Sequence, residues 1–266
     1  MNIQQYYRFA ANVALNGSLA AFVPVVLILF WGIYFSIKLP FLLMVVPFIV
    51  YSLICYQSYL IQQNRSNEVS GISLHGRTLT DANNLLITFL PAPSLRMLLF
   101  DESGVLVGEV RDKRFWWWRW FLPYFIDRLF PRSYAFYDRK NQLIGYYQID
   151  DRKRTLRILN VDRQEVGIYR QQAKKTSSLV RRGIIHSVDT DNKIYVEGSV
   201  LFPRLLLRNE QGAIIGKLIK GWMPLEWGNR FQDANTPYMS FSEDLSEVEK
   251  FLILGMLVEY FRYTSH

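Results

Sequence analysis

No aspartate or glutamate occurs before Glu68, and up to Leu60 the only charged side chains are Arg8 and Lys38. Within this stretch Leu19 to Ile37 is an uncharged apolar run of 19 residues, and Phe41 to Ile61 is a second of 21. At about 1.5 Å rise per residue, each run as a helix spans roughly the 30 Å hydrocarbon core of a bilayer. Pro24, Gly32 and Pro47 are compatible with that reading, because membrane helices tolerate such residues. Lys38-Leu39-Pro40 leaves room only for a tight turn. The expectation is a transmembrane helical hairpin over 19–61 (19–37 and 41–61), preceded by an N-terminal tail over 1–18. A cleaved signal peptide fits poorly, since Arg8 is the only charge ahead of the first run and no small-x-small site follows it. A buried soluble hairpin is the rival, disfavoured by two charge-free runs of this length. Arg8, Arg65 and Arg77 flank the open side and Lys38 alone marks the turn, which orients both chain ends toward the cytoplasm. Cys55 reads as an inert membrane-facing thiol rather than a palmitoylation site.

The remaining residues carry a different pattern. Half of the 266 residues are hydrophobic and 15% are aromatic, which excludes a disordered chain. The single cysteine excludes a disulfide scaffold. From about Leu95, short alternating apolar runs are broken by turn residues, the pattern of hairpins. One unit recurs at Met97–Gly108, Tyr134–Gly145 and Leu205–Gly216. Each copy has Asp or Asn at the turn (Asp101, Asp138, Asn209) and Gly or Asn three residues on (Gly104, Asn141, Gly212). A second glycine follows at Gly108, Gly145 and Gly216. Ile158–Gly167 is a degenerate fourth copy that keeps Asn160 and Gly167. The tight turn calls for positive φ, and the second glycine marks a bulge or a close backbone approach. A further hairpin is expected around Asp189–Asn192. About ten strands without alternating helices favour a closed barrel or a sandwich.

The C-terminus breaks the strand pattern. Ser246-Glu247-Val248-Glu249 resembles a helix start, and Phe251–Val258 is apolar on every face before Glu259 and Arg262. That run is too short and too flanked by charge to cross a bilayer, so the helix belongs inside protein.

Repeated hairpins of this form, ending in a hydrophobic helix with Gly255 at its centre, resemble the tubby C-terminal-like superfamily. That group includes the LURP-one-related proteins and the phospholipid scramblases. The resemblance covers residues 69–266 and implies a tubby-like closed antiparallel barrel of twelve strands, threaded by the C-terminal helix over 246–263. It also implies a lipid-related or membrane-surface role. The chain departs from the family in its N-terminal hairpin and in lacking the cysteine cluster and proline-rich tail of scramblases. No phosphoinositide-binding residue of the family aligns onto it, so the resemblance transfers no site.

The net charge of +8 is unevenly placed: residues 111–182 hold 18 basic and 7 acidic side chains, a net +11. On a domain tethered beside an anionic leaflet, each surface Lys or Arg adds about 1 kcal/mol of attraction. The candidate lipid- or anion-binding residues are Arg152, Lys153, Arg154, Arg157, Lys174, Lys175, Arg181 and Arg182. Solvated loop charges are the plain alternative. Within the same stretch, 114–130 is an aromatic insertion, and Trp116, Trp117, Trp118 and Trp120 are candidates for an interfacial anchor. Packing of those rings over a barrel end is the competing reading.

Nothing in the chain has the form of an enzyme. His75, His186 and His266 are spaced for no metal site, and no nucleophile elbow, phosphate loop or dinucleotide fingerprint occurs. No cofactor is expected, and nucleic acid is a poor partner for a membrane-tethered domain without a recognisable motif. The function expected is a module of the cell membrane that binds lipid headgroups or the anionic surface through its basic face. A scaffold for a protein partner is the alternative, and scramblase-like lipid transport a distant third.

Overall fold

In a computed structural model of the protein the described residues are 1–34, 43–71, 76–91, 94–113, 132–151, 153–172, 180–199 and 204–262. They form two compact units, Met1–Ser70 and Gly71–His266.

The first unit is a pair of antiparallel helices, α1 (Ile3–Tyr34) and α2 (Val46–Glu68), the second entered through a 3₁₀ turn at Leu43–Val45. Both are long and apolar enough to cross a membrane. Large apolar side chains point outward over 19–34 and 43–61, among them Phe22, Phe30, Ile33, Phe48 and Ile54. Between the helices the Ser18 and Ser52 hydroxyls meet at 3.0 Å, and Ser52 also donates to the Ser18 carbonyl at 3.1 Å. Paired hydroxyls of this kind hold helices together where water offers no competition.

The expected tail over 1–18 is corrected here, because α1 begins at Ile3. Ile3, Tyr7, Ala10 and Ala11 recur at helical spacing and are buried, and Gln4 donates to the Ser66 carbonyl at 3.1 Å. A search for charge-free length misses this half, because its packing stripe is interrupted by Gln4, Gln5, Arg8 and Asn12. The second helix likewise runs past Ile61 to Glu68. Cys55 is half-buried, and a Cβ at Gly17 would lie 3.5 Å from its Sγ, so the thiol packs toward the facing helix.

The second unit is mainly β. Twelve strands follow in order: β1 (Asn84–Phe89), β2 (Arg96–Phe100), β3 (Leu106–Asp112), β4 (Arg132–Asp138), β5 (Leu143–Asp150) and β6 (Thr155–Asn160). Then come β7 (Glu165–Gln171), β8 (Val180–Ser187), β9 (Lys193–Ser199), β10 (Arg204–Arg208), β11 (Ile214–Ile219) and β12 (Tyr238–Phe241). Each pairs antiparallel with its neighbours in sequence, and β1 pairs with β12 to close the barrel.

The repeated unit is one local structure built four times. Asp101, Asp138, Asn160 and Asn209 each accept a hydrogen bond from the backbone N–H four residues on, at 2.9, 2.7, 2.8 and 2.8 Å. Gly104 and Gly212 then take φ of 79° and 80°, while Asn141 and Arg163 hold 60° and 63° in the other two copies. Arg163 is why the fourth copy looks degenerate: the side-chain bond from Asn160 forms the turn even where the favoured residue is missing. Pairing then skips one residue of each returning strand (Val107, Ile144, Val166, Ile215) directly before the second glycine. The bulge turns that glycine against its neighbours. A Cβ at Gly145 would lie 2.6 Å from the Phe251 ring, and one at Gly167 2.5 Å from Leu252.

Phe251 and Leu252 belong to α3 (Glu247–Phe261), which lies inside the barrel. Ser246 caps it: its hydroxyl accepts from the Glu249 N–H at 3.3 Å, and its own N–H donates to the Glu249 carboxylate at 3.0 Å. This capping box satisfies donors that would otherwise be orphaned at a helix start. Phe251 to Val258 are all buried. Lys250, only 1% exposed, donates through Nζ to the carbonyls of Thr80 at 2.5 Å, Ala82 at 3.0 Å and Leu79 at 3.3 Å. Burial pulls its pKa below the usual lysine value, while Asp81 and Glu247 push it back up.

Gly255 brings α3 against the wall, where an added Cβ would stand 2.9 Å from both Tyr147 and Ile158. Gly255→Val is therefore expected to lower stability by about 1–3 kcal/mol through overpacking. Gly212→Ala meets no atom within 4 Å but must hold φ of 80°, and is expected to cost about 1 kcal/mol from backbone strain alone. Denaturant unfolding of both variants in detergent checks the contrast; equal costs would contradict a helix packed this closely on the wall.

Candidate functional site

The meander gives the barrel two unlike ends. At one end sit the short hairpin turns 101–105, 138–142, 160–164, 188–192 and 209–213. At the other end β1 leaves at Phe89 and β2 starts at Arg96, β3 leaves at Asp112 and β4 starts at Arg132, and β5 leaves at Asp150. The later strands repeat this, with connections between Gln171 and Val180, Ser199 and Arg204, and Ile219 and Tyr238. α3 starts just beyond β12 at the short-turn end and finishes at the long-connection end, where Phe261 meets Phe89 with ring centroids 5.1 Å apart.

Because strands pair in sequence order, the described residues of the basic stretch 111–182 fall in one continuous sector, from the end of β3 to the start of β8. Lys153 and Arg154 are exposed in the β5–β6 connection, with Arg154 at φ of 51° and the Lys153 N–H bonded to Asp150 at 3.2 Å. Arg157 and Arg182 are exposed too, on the outer wall, but each faces a carboxylate. Arg157 reaches Glu165 at 2.5 Å, and Arg182 stands 3.8 Å from Glu197. Strand geometry therefore divides the candidate set into two in a connection and two on the wall with acidic neighbours. Arg152, Lys174 and Lys175 lie outside the described residues, as do Trp116, Trp117, Trp118 and Trp120; Arg181 is described in its backbone only, as part of β8. His186 is a strand residue of β8, its Nε2 2.9 Å from Asp191 of the same hairpin.

The structure adds a polar cluster at the long-connection end. Arg262, which caps α3, reaches Asp151 at 2.6 Å through Nη1 and Glu259 at 2.7 Å through Nη2. Arg132, at the start of β4, is buried and lies close enough to influence Glu259. The second Glu259 oxygen is buried and has no hydrogen-bond partner among the described residues. Burial raises the Glu259 pKa from 4.5 to about 7; Arg262 and Arg132 oppose the rise and Asp151 adds to it. Asp151, Glu259 and Arg262 border a cavity of about 400 Å³ whose rim includes Asp150, Arg154, Thr155 and Gln171. The arrangement holds a carboxyl group poised to bind or release a proton near neutral pH. Sequence reasoning took Glu259 and Arg262 only as the charged flank of an apolar helix. Their i,i+3 spacing was the available signal, but nothing local paired them with Asp151.

No protein-family model matches the chain, and no curated protein matches it. Among solved structures it is similar to an X-ray structure of a protein from Arabidopsis thaliana, with 12% identity and a TM-score of 0.42. The match covers 67% of this chain and 90% of that one, a likeness too low to bear on function.

Because the folded pKa of Glu259 exceeds its ordinary value, folding holds the proton more tightly than the unfolded chain does. The stabilisation is complete below pH 4.5 and is lost as pH rises to about 7. It amounts to about 3 kcal/mol. Thermal melts of the full chain in detergent should show the Tm falling across that window, with Glu259→Gln flattening the fall. An unchanged pH profile in that variant would place the titration elsewhere.

Proposed function

We propose that the barrel is a membrane-tethered module that binds anionic lipid headgroups through the basic connections at its long-connection end. The observation that carries this reading is the sequence-ordered pairing of β4 to β7, which places the described basic residues of the 111–182 stretch in one sector, with Lys153 and Arg154 exposed at its edge. Two helices long and apolar enough to cross a membrane keep such a surface near its target. Tethering turns a weak interaction into an effectively intramolecular one, so a few residues contributing about 1 kcal/mol each are sufficient. The resemblance to the tubby C-terminal-like superfamily supports the same reading, since the barrel and threaded helix it implies are the architecture of this domain. On this reading the domain lies on the cytoplasmic side of the cell membrane, where anionic lipid is concentrated, and acts by binding rather than catalysis.

Hydrogen–deuterium exchange of the full chain in nanodiscs tests it. Replacing pure phosphatidylcholine with a mixture containing phosphatidylserine should slow exchange over 150–157. Raised salt, or Lys153→Glu with Arg154→Glu, should abolish the difference. Identical exchange in both lipids would overturn the proposal.

A further inference from the structure

The segment between β11 and β12 carries two apolar side chains unlike any others described in the barrel unit. Trp222 is 92% exposed and Leu225 is 96% exposed, whereas no other large hydrophobic there exceeds 52%. Neither is held out by a loose loop. The segment is pinned from below: Trp227 is buried edge-on against Tyr238 at 5.3 Å, and Phe231 is buried against Phe100 at 6.3 Å. Arg230 donates to the carbonyls of Glu102 at 3.0 Å and Gly71 at 2.8 Å. Trp222 itself sits at φ of 59° beside Gly221 at 82°, and Leu225 opens a 3₁₀ turn behind Pro224. A bulky residue at positive φ is strained, and such strain persists only where the surrounding structure imposes it. Burying these side chains would relieve an apolar exposure; the fold instead holds them in solvent.

We propose that Trp222 and Leu225 form a fixed apolar wedge that enters the headgroup region of the bilayer, a second membrane contact on the opposite side of the barrel from the β5–β6 connection. The inference rests on the membrane-surface reading above. Three features favour lipid as the occupant. The spanning helices tether the domain to a bilayer, so that surface is the apolar medium present at highest effective concentration. Trp222 follows β11 by three residues, and β11 ends at the same barrel end from which the Lys153–Arg154 connection projects. Exposed Lys220 stands on one side of the wedge to meet lipid phosphate, and exposed Glu226 on the other limits its depth to the interface. Tryptophan also partitions to that interface, its ring apolar and its N–H polar. In the sequence the clustered tryptophans of 114–130 carry the interfacial signal, and a lone Trp-Met-Pro-Leu carries none.

The test places an environment-sensitive nitrobenzoxadiazole label at Trp222→Cys, and separately at Leu225→Cys, in a Cys55→Ser background of the full chain in nanodiscs. Ile214→Cys, by the short turns, serves as the control. Lipids spin-labelled near the headgroup should quench the emission at both wedge positions, and aqueous iodide should not; the control should show the reverse. Quenching by iodide at both wedge positions would overturn the proposal, as would protection from both quenchers, which would mean a protein covers them. If the wedge fails while anionic lipid still protects 150–157, only this inference falls. If that protection is absent too, the membrane-surface reading falls with it. Should one cysteine variant misfold, the other carries the same measurement.

Discussion

The barrel unit depends on burying α3. Fifteen residues of helix, apolar on every side from Phe251 to Val258, have no stable place in water and too little length for a bilayer. Twelve short strands, many with one apolar face, have the complementary problem. Closing the sheet around the helix solves both and removes the sheet edges at the same time. The wall then adapts to the helix: the second glycines of two hairpins leave room for Phe251 and Leu252, and Gly255 leaves room for Tyr147 and Ile158. The Tyr147 hydroxyl donates to the Phe251 carbonyl at 3.1 Å, so even the polar atom of the wall is satisfied by the helix.

Threading the helix also sets the chemistry of the two barrel ends. Its N-terminus carries Lys250 into a ring of carbonyls, where the ammonium ties the segment before β1 to the helix. Its C-terminus delivers Glu259 and Arg262 to the opposite end, beside Arg154 of the β5–β6 connection. A helix C-terminus favours a cation, which suits Arg262 and leaves Glu259 in a place that disfavours its charge. Burial is the larger cause, and Asp151 adds to it. The raised pKa of Glu259 is thus a consequence of where an apolar helix has to end.

Much of this was legible in the sequence because its causes are local. The turn at Asp101 or Asn209 is formed by a side chain bonding a backbone N–H four residues away, so four similar segments announce four similar hairpins. The capping box at Ser246 and the charge-free runs before Glu68 are equally local. What is not legible there is set by distance in space. The helical stripe Ile3, Tyr7, Ala10 and Ala11 has meaning only with α2 beside it. Arg157 and Arg182 look like Lys153 and Arg154 until strand pairing brings Glu165 and Glu197 to them. Trp222 and Leu225 look like ordinary core residues until the loop that carries them is seen to bury Trp227 and Phe231 instead.

By itself, then, the sequence determined the kinds of element and their order: two apolar helices, a run of hairpins with their turn chemistry, and a terminal helix that had to be buried. Backbone sterics, side-chain capping and hydrophobic length act over a few residues, and a chain carries them wherever it goes. The tertiary structure alone decided which side chains share a place. Ring closure between β1 and β12, the direction in which α3 is threaded, and the meeting of Asp151 with Glu259 and Arg262 are each contacts between residues far apart in sequence. Their strength comes from excluding water at the point of contact, and no local pattern specifies where that point will be.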